Sequence, residues 1–290
     1  YKSAILDLQK QFPKTYQVDA DWEKTIQELE ANRQALIEGL NKQDKKAEKQ
    51  AIQLLKKLDK NLLANPLLAG KKMVAIQRHL GEKARTAMSG ELGIAPSNFQ
   101  NNSEIWNPKT GWNNEFVSIS VQDGKIKSTV LYKPADGMIV TDPEPSFDGT
   151  KLMYSSIGTS DRWHLFELDT QTGKTRQLTP ESYKHFDSFD GCYTPEGNYI
   201  FCSTGTFLGL PCTNGENKMC GLFTYNPTTG QTRQLTYDQD SNWGPVMMEN
   251  GTVLYQRWEY ADIPHSNSRI MFTMNPDGTT QTSFYGSNSY

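Results

Sequence analysis

A unit of four short predicted strands recurs in the second half of the chain and limits the possible folds more than any other feature. The first copy covers residues 142–179, where Asp148-Gly149 closes a hairpin because glycine tolerates the positive φ of such a turn. Residues 190–201 repeat this hairpin. The ending Arg176-Gln177-Leu178-Thr179 returns unchanged as Arg233-Gln234-Leu235-Thr236. The repeats therefore predict copies of one β-rich unit.

A third copy covers residues 240–281, and 71–135 carries a divergent first copy with a long insertion at residues 80–115. Four-stranded units recurring every 40–60 residues or so are typical of β-propeller blades, which must stack because one blade cannot bury both faces. We predict a mainly β fold, a β-propeller with blades at 71–135, 142–179, 188–236 and 240–281. Four blades suggest that residues 66–290 form the front part of a larger propeller, which is incomplete at its C-terminal end.

Residues 1–65 form a separate N-terminal helical segment. We expect an extended lead-in over 1–18, then a helix opened by Asp19 and Asp21, because acidic groups favour the positive end of a helix. Asp44 can cap a second helix, which Asn65-Pro66 ends. An antiparallel α-helical hairpin and one long kinked helix fit the periodicity equally well.

Composition narrows the classes of function. The 290 residues carry a formal net charge of −3 and a pI near 5.9. This overall charge does not indicate a surface that binds nucleic acid. No apolar run approaches the roughly 18 residues of a transmembrane segment. The chain begins at Tyr1 rather than Met, so we expect an exported, processed protein, periplasmic or at the cell surface.

The cysteines lie close together at positions 192, 202, 212 and 220. Two disulfides in an oxidising compartment are one interpretation, with Cys212–Cys220 stapling a long loop and Cys192–Cys202 joining a hairpin or staying buried as thiols. The alternative is a zinc or other soft-metal site of Cys212 with His185 or His265. No Cys-x-x-Cys-His motif for covalent haem occurs, so we expect no cofactor within this chain unless zinc binds.

A second candidate site follows a predicted strand, at Arg257, Trp258 and Glu259 with His265 beyond. Arginine and aromatic side chains at a propeller mouth suit the recognition of a ligand or peptide. Alternatively, Arg257 forms a structural ion pair, Trp258 packs and Glu259 is solvated. No catalytic constellation stands out. Structural roles are expected for His164, inside a strand, and for aspartates taken to recur at one blade position, Asp142, Asp190 and Asp240.

Two known families resemble this chain. The motif Asp142-Pro143-x-x-Ser146-x-Asp148-Gly149, with strands ending in Arg-Gln-Leu-Thr, resembles PD40 repeats of TolB-type propellers. From Asn65 to Tyr290, segments such as Leu254-Tyr255-x-Arg257-Trp258 and Asn275-Pro276-Asp277-Gly278 are similar to the propeller of hydrazine synthase alpha-subunit-like proteins. This resemblance implies an exported propeller of six or seven blades, from a family whose founding member is a multihaem enzyme. It implies haems mainly outside the propeller, and a metal position that Cys212 would match.

Two functions follow as hypotheses. The first is an exported propeller scaffold that binds a protein, peptide or glycan within a cell-envelope assembly, without catalysis. The alternative is the propeller module of a metal- or haem-dependent redox enzyme whose cofactor lies outside this chain. The missing haem motif and catalytic constellation favour the scaffold, although a propeller fold alone does not decide function.

Overall fold

The computed structural model describes residues 1–79, 110–122, 124–209, 218–258 and 269–286. Two compact units divide the chain. The first, called the helical unit, contains Tyr1–Ala75 and Val117–Val130; the second, the sheet unit, contains Ile76–Phe116 and Leu131–Tyr290. The helical unit thus includes parts of the first three strands in addition to the segment 1–65 defined from the sequence.

Three helices build the first part of the chain: α1 (Lys2–Gln11), α2 (Trp22–Asn41) and α3 (Lys45–Leu63). The break at Asn41 and the cap at Asp44, whose carboxylate accepts from the Lys46 amide at 2.8 Å, agree with the sequence. The expectation of an extended lead-in over 1–18 is wrong, because α1 lies there. Its sequence is largely polar, so its stability depends on packing rather than on a visible apolar stripe.

A small apolar cluster holds the helical unit together. It consists of buried residues from all three helices and the α1–α2 connection, namely Ile5, Tyr16, Trp22, Ile26 and Leu58. Buried Asn61 of α3 fixes that connection: its carbonyl accepts from the Tyr16 hydroxyl at 2.9 Å, and its side-chain oxygen accepts from the Asp19 amide at 2.7 Å. Both groups gain partners that burial would otherwise deny them.

Fifteen strands lie in the described residues and form four sheets, ordered β1-β2-β3, β4-β5-β6-β7, β11-β10-β9-β8 and β12-β13-β14-β15. The mainly β, propeller-like fold class is therefore confirmed. The strands are β1 (Lys72–His79), β2 (Asn113–Gln122), β3 (Lys125–Tyr132), β4 (Val140–Pro145), β5 (Lys151–Ile157), β6 (Trp163–Asp169), β7 (Thr175–Gln177), β8 (Ser188–Tyr193), β9 (Tyr199–Ser203), β10 (Gly221–Tyr225), β11 (Thr232–Gln234), β12 (Asn242–Met247), β13 (Val253–Trp258), β14 (Arg269–Met274) and β15 (Thr282–Tyr285).

The repeated Arg-Gln-Leu-Thr ending has a physical cause. In the β4–β7 sheet, the Leu178 amide donates to the Leu165 carbonyl at 2.7 Å, and the Thr179 hydroxyl accepts from the Leu165 amide at 3.3 Å. Leu235 and Thr236 form the same two bonds to Leu222 at 2.7 and 2.9 Å. The sequence repeats because each threonine hydroxyl extends the edge of its sheet beyond the outer strand.

The three four-stranded sheets share one apolar core. Large side chains from each of them are buried together, including Trp163, Phe189, Leu222, Trp243 and Tyr255. Burying a side chain of this size contributes about 2–3 kcal/mol. The sheets therefore depend on one another for burial, as expected for stacked blades.

Glycines in two turns of the β4–β7 sheet provide a test of how this sheet packs against strand β3. Both have left-handed backbone, with φ of 69° at Gly149 and 71° at Gly173. A Cβ at Gly149 would meet nothing within 4 Å, whereas one at Gly173 would lie 2.8 Å from the Leu131 carbonyl oxygen of β3.

Gly149→Ala should cost about 1–2 kcal/mol of unfolding free energy because of its left-handed backbone alone. Gly173→Ala should cost at least about 1 kcal/mol more, since its methyl group also displaces β3. Denaturant unfolding of both variants measures the difference. Equal losses would show that the β6–β7 turn does not pack against β3.

Candidate functional site

The first strand of each four-stranded sheet contains a β-bulge at the same register. The bulges follow Thr141 in β4, Phe189 in β8 and Trp243 in β12. In each case the next residue has left-handed backbone, with φ of 51° at Asp142, 49° at Asp190 and 60° at Gly244. Non-glycine residues rarely adopt this conformation, and bulges of this kind re-aim a side chain.

This register corrects one expectation. Asp142 and Asp190 do occupy the same blade position, but Asp240 does not share it, since Asp240 precedes β12 and Gly244 takes the third equivalent place. Spacing between the repeats suggested the equivalence of Asp240. The bulge register, which depends on pairing with the neighbouring strand, decides otherwise.

The bulge residues link consecutive sheets through hydrogen bonds. The Asp190 amide donates to the Ser155 hydroxyl of the preceding sheet at 2.8 Å, and the Asp190 carboxylate accepts from the Gly244 amide of the following sheet at 3.1 Å. A bulge leaves an amide outside its own ladder, so a partner must come from elsewhere. The predicted inter-blade role of Asp190 agrees with this geometry.

Asp142 differs because its carboxylate is only partly satisfied. One oxygen accepts from the Thr141 hydroxyl at 3.3 Å, while Oδ2 is buried and has no hydrogen-bond partner among the described residues. Burial, followed by the negative charge of Asp190, raises the pKa of Asp142 well above its usual range; the Ser155 and Thr141 hydroxyls and the charge of Arg78 only partly oppose this. Arg78 donates to the Val140 carbonyl at 2.7 Å, and its guanidinium lies 5.2 Å from the centre of the Trp112 ring.

The cysteines do not form the expected bridges within the described residues. Cys192, Cys202 and Cys220 are free thiols and are buried. Strand register explains the absence of a Cys192–Cys202 bridge, because Cys192 lies opposite Ile200 and Cys202 lies opposite Phe189. The Cys220 thiol instead donates to the Asn242 carbonyl at 3.0 Å. Cys212, the other half of the proposed Cys212–Cys220 bridge, lies outside the described residues.

Arg257 and Trp258 end β13 within a packed cluster of rings and cations. The Arg257 guanidinium forms a 2.9 Å ion pair with Asp238 and lies 4.8 Å from the Phe272 ring centre. Trp258 is buried under the Arg269 guanidinium at 4.6 Å. Glu259 and His265 lie outside the described residues, so the ligand-binding role of this group stays a prediction.

Two of the four histidines, His164 and His185, can be compared with the roles predicted for them. His164 is buried, with Nδ1 2.7 Å from the Thr179 hydroxyl and Nε2 3.2 Å from the Thr159 carbonyl, and burial lowers its pKa. This matches the structural role expected for it. His185 is exposed, and its proposed metal partner Cys212 is outside the described residues. Among the described residues, no three His, Cys, Asp or Glu side chains are arranged to hold a metal ion.

An aromatic patch, which the sequence did not reveal, lies on the connections β7–β8 and β9–β10. It comprises Tyr183, Phe186, Phe207 and Leu208. The ring centroids of Tyr183 and Phe186 are 4.7 Å apart, and those of Phe186 and Phe207 are 5.7 Å apart in a T-shaped contact. Phe207 is 70% exposed and has φ of 58°, a strained conformation for a bulky residue. The consecutive apolar pair Phe207-Leu208 in a loop was the signal available in the sequence.

Comparison with known structures supports the fold and no specific activity. Hydrazine synthase from Kuenenia stuttgartiensis aligns over 80% of this chain and 33% of its own, with 14% identity and a TM-score of 0.54. TolB from Acinetobacter baumannii aligns over 59% of this chain and 37% of its own, with 13% identity and a TM-score of 0.42. No protein-family model and no curated protein matches.

The chain therefore has a propeller-like fold similar to part of hydrazine synthase, and the resemblance inferred from sequence is confirmed at the level of fold. It spans about one third of the hydrazine synthase chain that it matches. At 14% identity the similarity carries no substrate or cofactor across.

The raised pKa of Asp142 predicts how the free energy of unfolding changes with pH. Its raised pKa means that the folded protein keeps a proton that the unfolded chain has lost, so this carboxyl reduces stability as pH rises above about 4. Asp142→Asn cannot titrate. Its unfolding free energy should exceed that of the parent protein by a margin that grows above about pH 4, up to about 1.4 kcal/mol per pH unit.

Asp148→Asn is the matched control with the opposite sign. Hydrogen bonds from Thr150 and Ser146 lower the pKa of the exposed Asp148 to about 2. Its ionised carboxylate therefore stabilises the folded protein above about pH 4, and this stabilisation is lost as pH falls toward 2. Denaturant unfolding from pH 3 to 8 measures both variants. Parallel pH profiles for Asp142→Asn and the parent protein would contradict the buried, proton-retaining carboxyl.

Proposed function

We propose that this chain is an exported propeller scaffold that binds a polypeptide partner within a cell-envelope assembly, through the aromatic patch. The observation that carries the proposal is Phe207, a large apolar side chain held exposed by strained backbone. Exposed aromatic residues are enriched where proteins bind one another, and strain persists where function requires it.

Support for the location of the site comes from the elements around it. Phe207 and Leu208 stand on one connection, Tyr183 and Phe186 on another, and both connections join strands of the rigid sheet unit. Binding residues are commonly carried on loops that a rigid scaffold positions. Leu208 is itself tied down, since its carbonyl accepts from the Met219 amide at 2.8 Å.

A polypeptide fits this surface better than a charged ligand. The patch presents the ring of Phe207 and the side chain of Leu208, which is 53% exposed, next to half-buried Phe186 and buried Tyr183. Such side chains are the usual anchors of protein interfaces. An envelope location agrees with the sequence-based expectation of export. In the described residues, no helix is both long and apolar enough to cross a membrane.

The test compares two phenylalanines of nearly equal exposure, Phe207 at 70% and Phe147 at 68%, the latter in the β4–β5 turn. Asparagine tolerates left-handed backbone, so Phe207→Asn should unfold at the same or a higher free energy than the parent protein. It should also lower the recovery of a partner, identified by mass spectrometry after crosslinking in envelope extracts, at least tenfold. Phe147→Asn should leave recovery unchanged.

Other results would count against this function. If Phe207→Asn lowers stability and leaves the crosslinked partner unaffected, Phe207 serves packing alone. Binding of soluble glycans to the purified chain that is lost in Phe207→Asn would show that the patch binds a glycan and not a polypeptide. A stoichiometric metal or a haem absorbance band in protein from its native source would favour the redox-module alternative.

A further inference from the structure

The helical unit contains a groove that α1 fills over only part of its length. Helices α2 and α3 pack along 19–20 residues each, and Gly39 faces Ala47 closely where the two helices meet near their connection. Helix α1 has 10 residues and covers only the part of the pair that carries Trp22, Ile26 and Leu58. Ten helical residues span about 15 Å, half the length of α2.

The uncovered part of the groove is lined by exposed apolar side chains. They are Ile37 and Leu40 of α2, and Ile52 and Leu55 of α3, each between 38% and 44% exposed. Leu58, Leu55 and Ile52 follow one another at three-residue steps, so the stripe that packs against α1 continues beyond it. The open part thus has the same apolar character as the part that α1 covers.

Charge on the α3 side of this open groove is mainly positive, although Glu48 lies four residues before Ile52 and Glu38 of α2 lies beside Ile37. Helix α3 carries six lysines and only two acidic residues, Glu48 and Asp59. Lys45 and Lys49 lie seven and three residues before Ile52, and Lys56 lies four residues after it. At these spacings all three lysines lie on the same face of α3 as Ile52. Asp59 accepts a hydrogen bond from the Tyr1 hydroxyl at 2.5 Å, at the end of α1.

We propose that the open groove binds an amphipathic helix of a partner protein, whose apolar stripe is flanked by acidic residues. Leucine-like side chains would contact Ile37, Leu40, Ile52 and Leu55. Carboxylates on the flank would face the lysines of α3. The bound helix would lie in the position relative to α2 and α3 that α1 has in the covered part, giving a three-helix arrangement along the whole groove.

Two other occupants fit less well. A second copy of this chain that paired α3 with α3 would bring lysine-rich faces together, which costs free energy. A membrane surface would require apolar groups on one convex face, whereas these four side chains line the space between two helices. A helix of complementary charge satisfies both the groove and the lysines.

The test uses the full chain and two synthetic, fluorescently labelled 16-residue peptides. Both carry leucine at heptad positions a and d; one has glutamate at positions e and g, the other lysine. Fluorescence anisotropy at low ionic strength should show saturable binding of the glutamate peptide, at least tenfold tighter than that of the lysine peptide. Raising the salt concentration should reduce this preference.

Variants then assign the site. Ile52→Asp with Leu55→Asp should weaken binding of the glutamate peptide at least tenfold, while Leu67→Asp, at an apolar residue elsewhere in the helical unit that is 60% exposed, should not change it. Lys49→Glu with Lys56→Glu should reverse the preference toward the lysine peptide. Circular dichroism checks that each variant keeps its helices, which is expected because all these side chains are exposed.

Several outcomes would overturn the proposal. Equal affinity for both peptides, or equal weakening by Leu67→Asp, would exclude recognition in the groove. Concentration-dependent dimerisation abolished by the Ile52 and Leu55 changes would assign the groove to a second copy. Binding to vesicles containing phosphatidylglycerol, lost in the same variants, would assign it to a membrane. None of these results bears on Phe207, which lies in the sheet unit.

Discussion

Hydrogen bonds between consecutive sheets are the interaction on which the sheet unit depends. The Asp190 amide reaches back to Ser155 and its carboxylate reaches forward to Gly244. The Tyr193 hydroxyl adds a bond at 3.1 Å to buried Glu167 of the preceding sheet. Because a single sheet cannot bury both of its faces, these bonds fix which neighbour it packs against and in which register.

The same bulges that link the sheets also create their electrostatic cost. Left-handed backbone occurs at both Asp142 and Asp190, the Asp142 carboxyl feels the negative charge of Asp190, and its Oδ2 is buried without a partner among the described residues. A buried carboxylate of this kind is unfavourable unless it is protonated or paired. Phe207 combines left-handed backbone with an exposed apolar ring. Such local departures from stability are where binding functions are commonly found.

Sequence reasoning reached most of the fold but little of the site. Asp44, Asn41 and the Asp148-Gly149 turn were readable because capping and turn formation depend on neighbours in sequence. Helix α1 was missed because its few apolar residues gain stability only from contacts with α2 and α3. Of the two alternatives for Cys192 and Cys202, the buried thiols are found for a related reason, since strand register sets Cys192 opposite Ile200.

The sequence by itself determined the repeating unit, its strands and its turns, because these follow from local backbone preferences and from a periodicity of apolar residues. Only the tertiary structure decided which residues meet between sheets. Gly244, and not Asp240, takes the position equivalent to Asp142 and Asp190, because a bulge shifts the register of β12. Likewise, the rings of Phe186 and Phe207 come together from separate connections. Contacts between residues distant in sequence depend on how the sheets pack, which local preference does not encode.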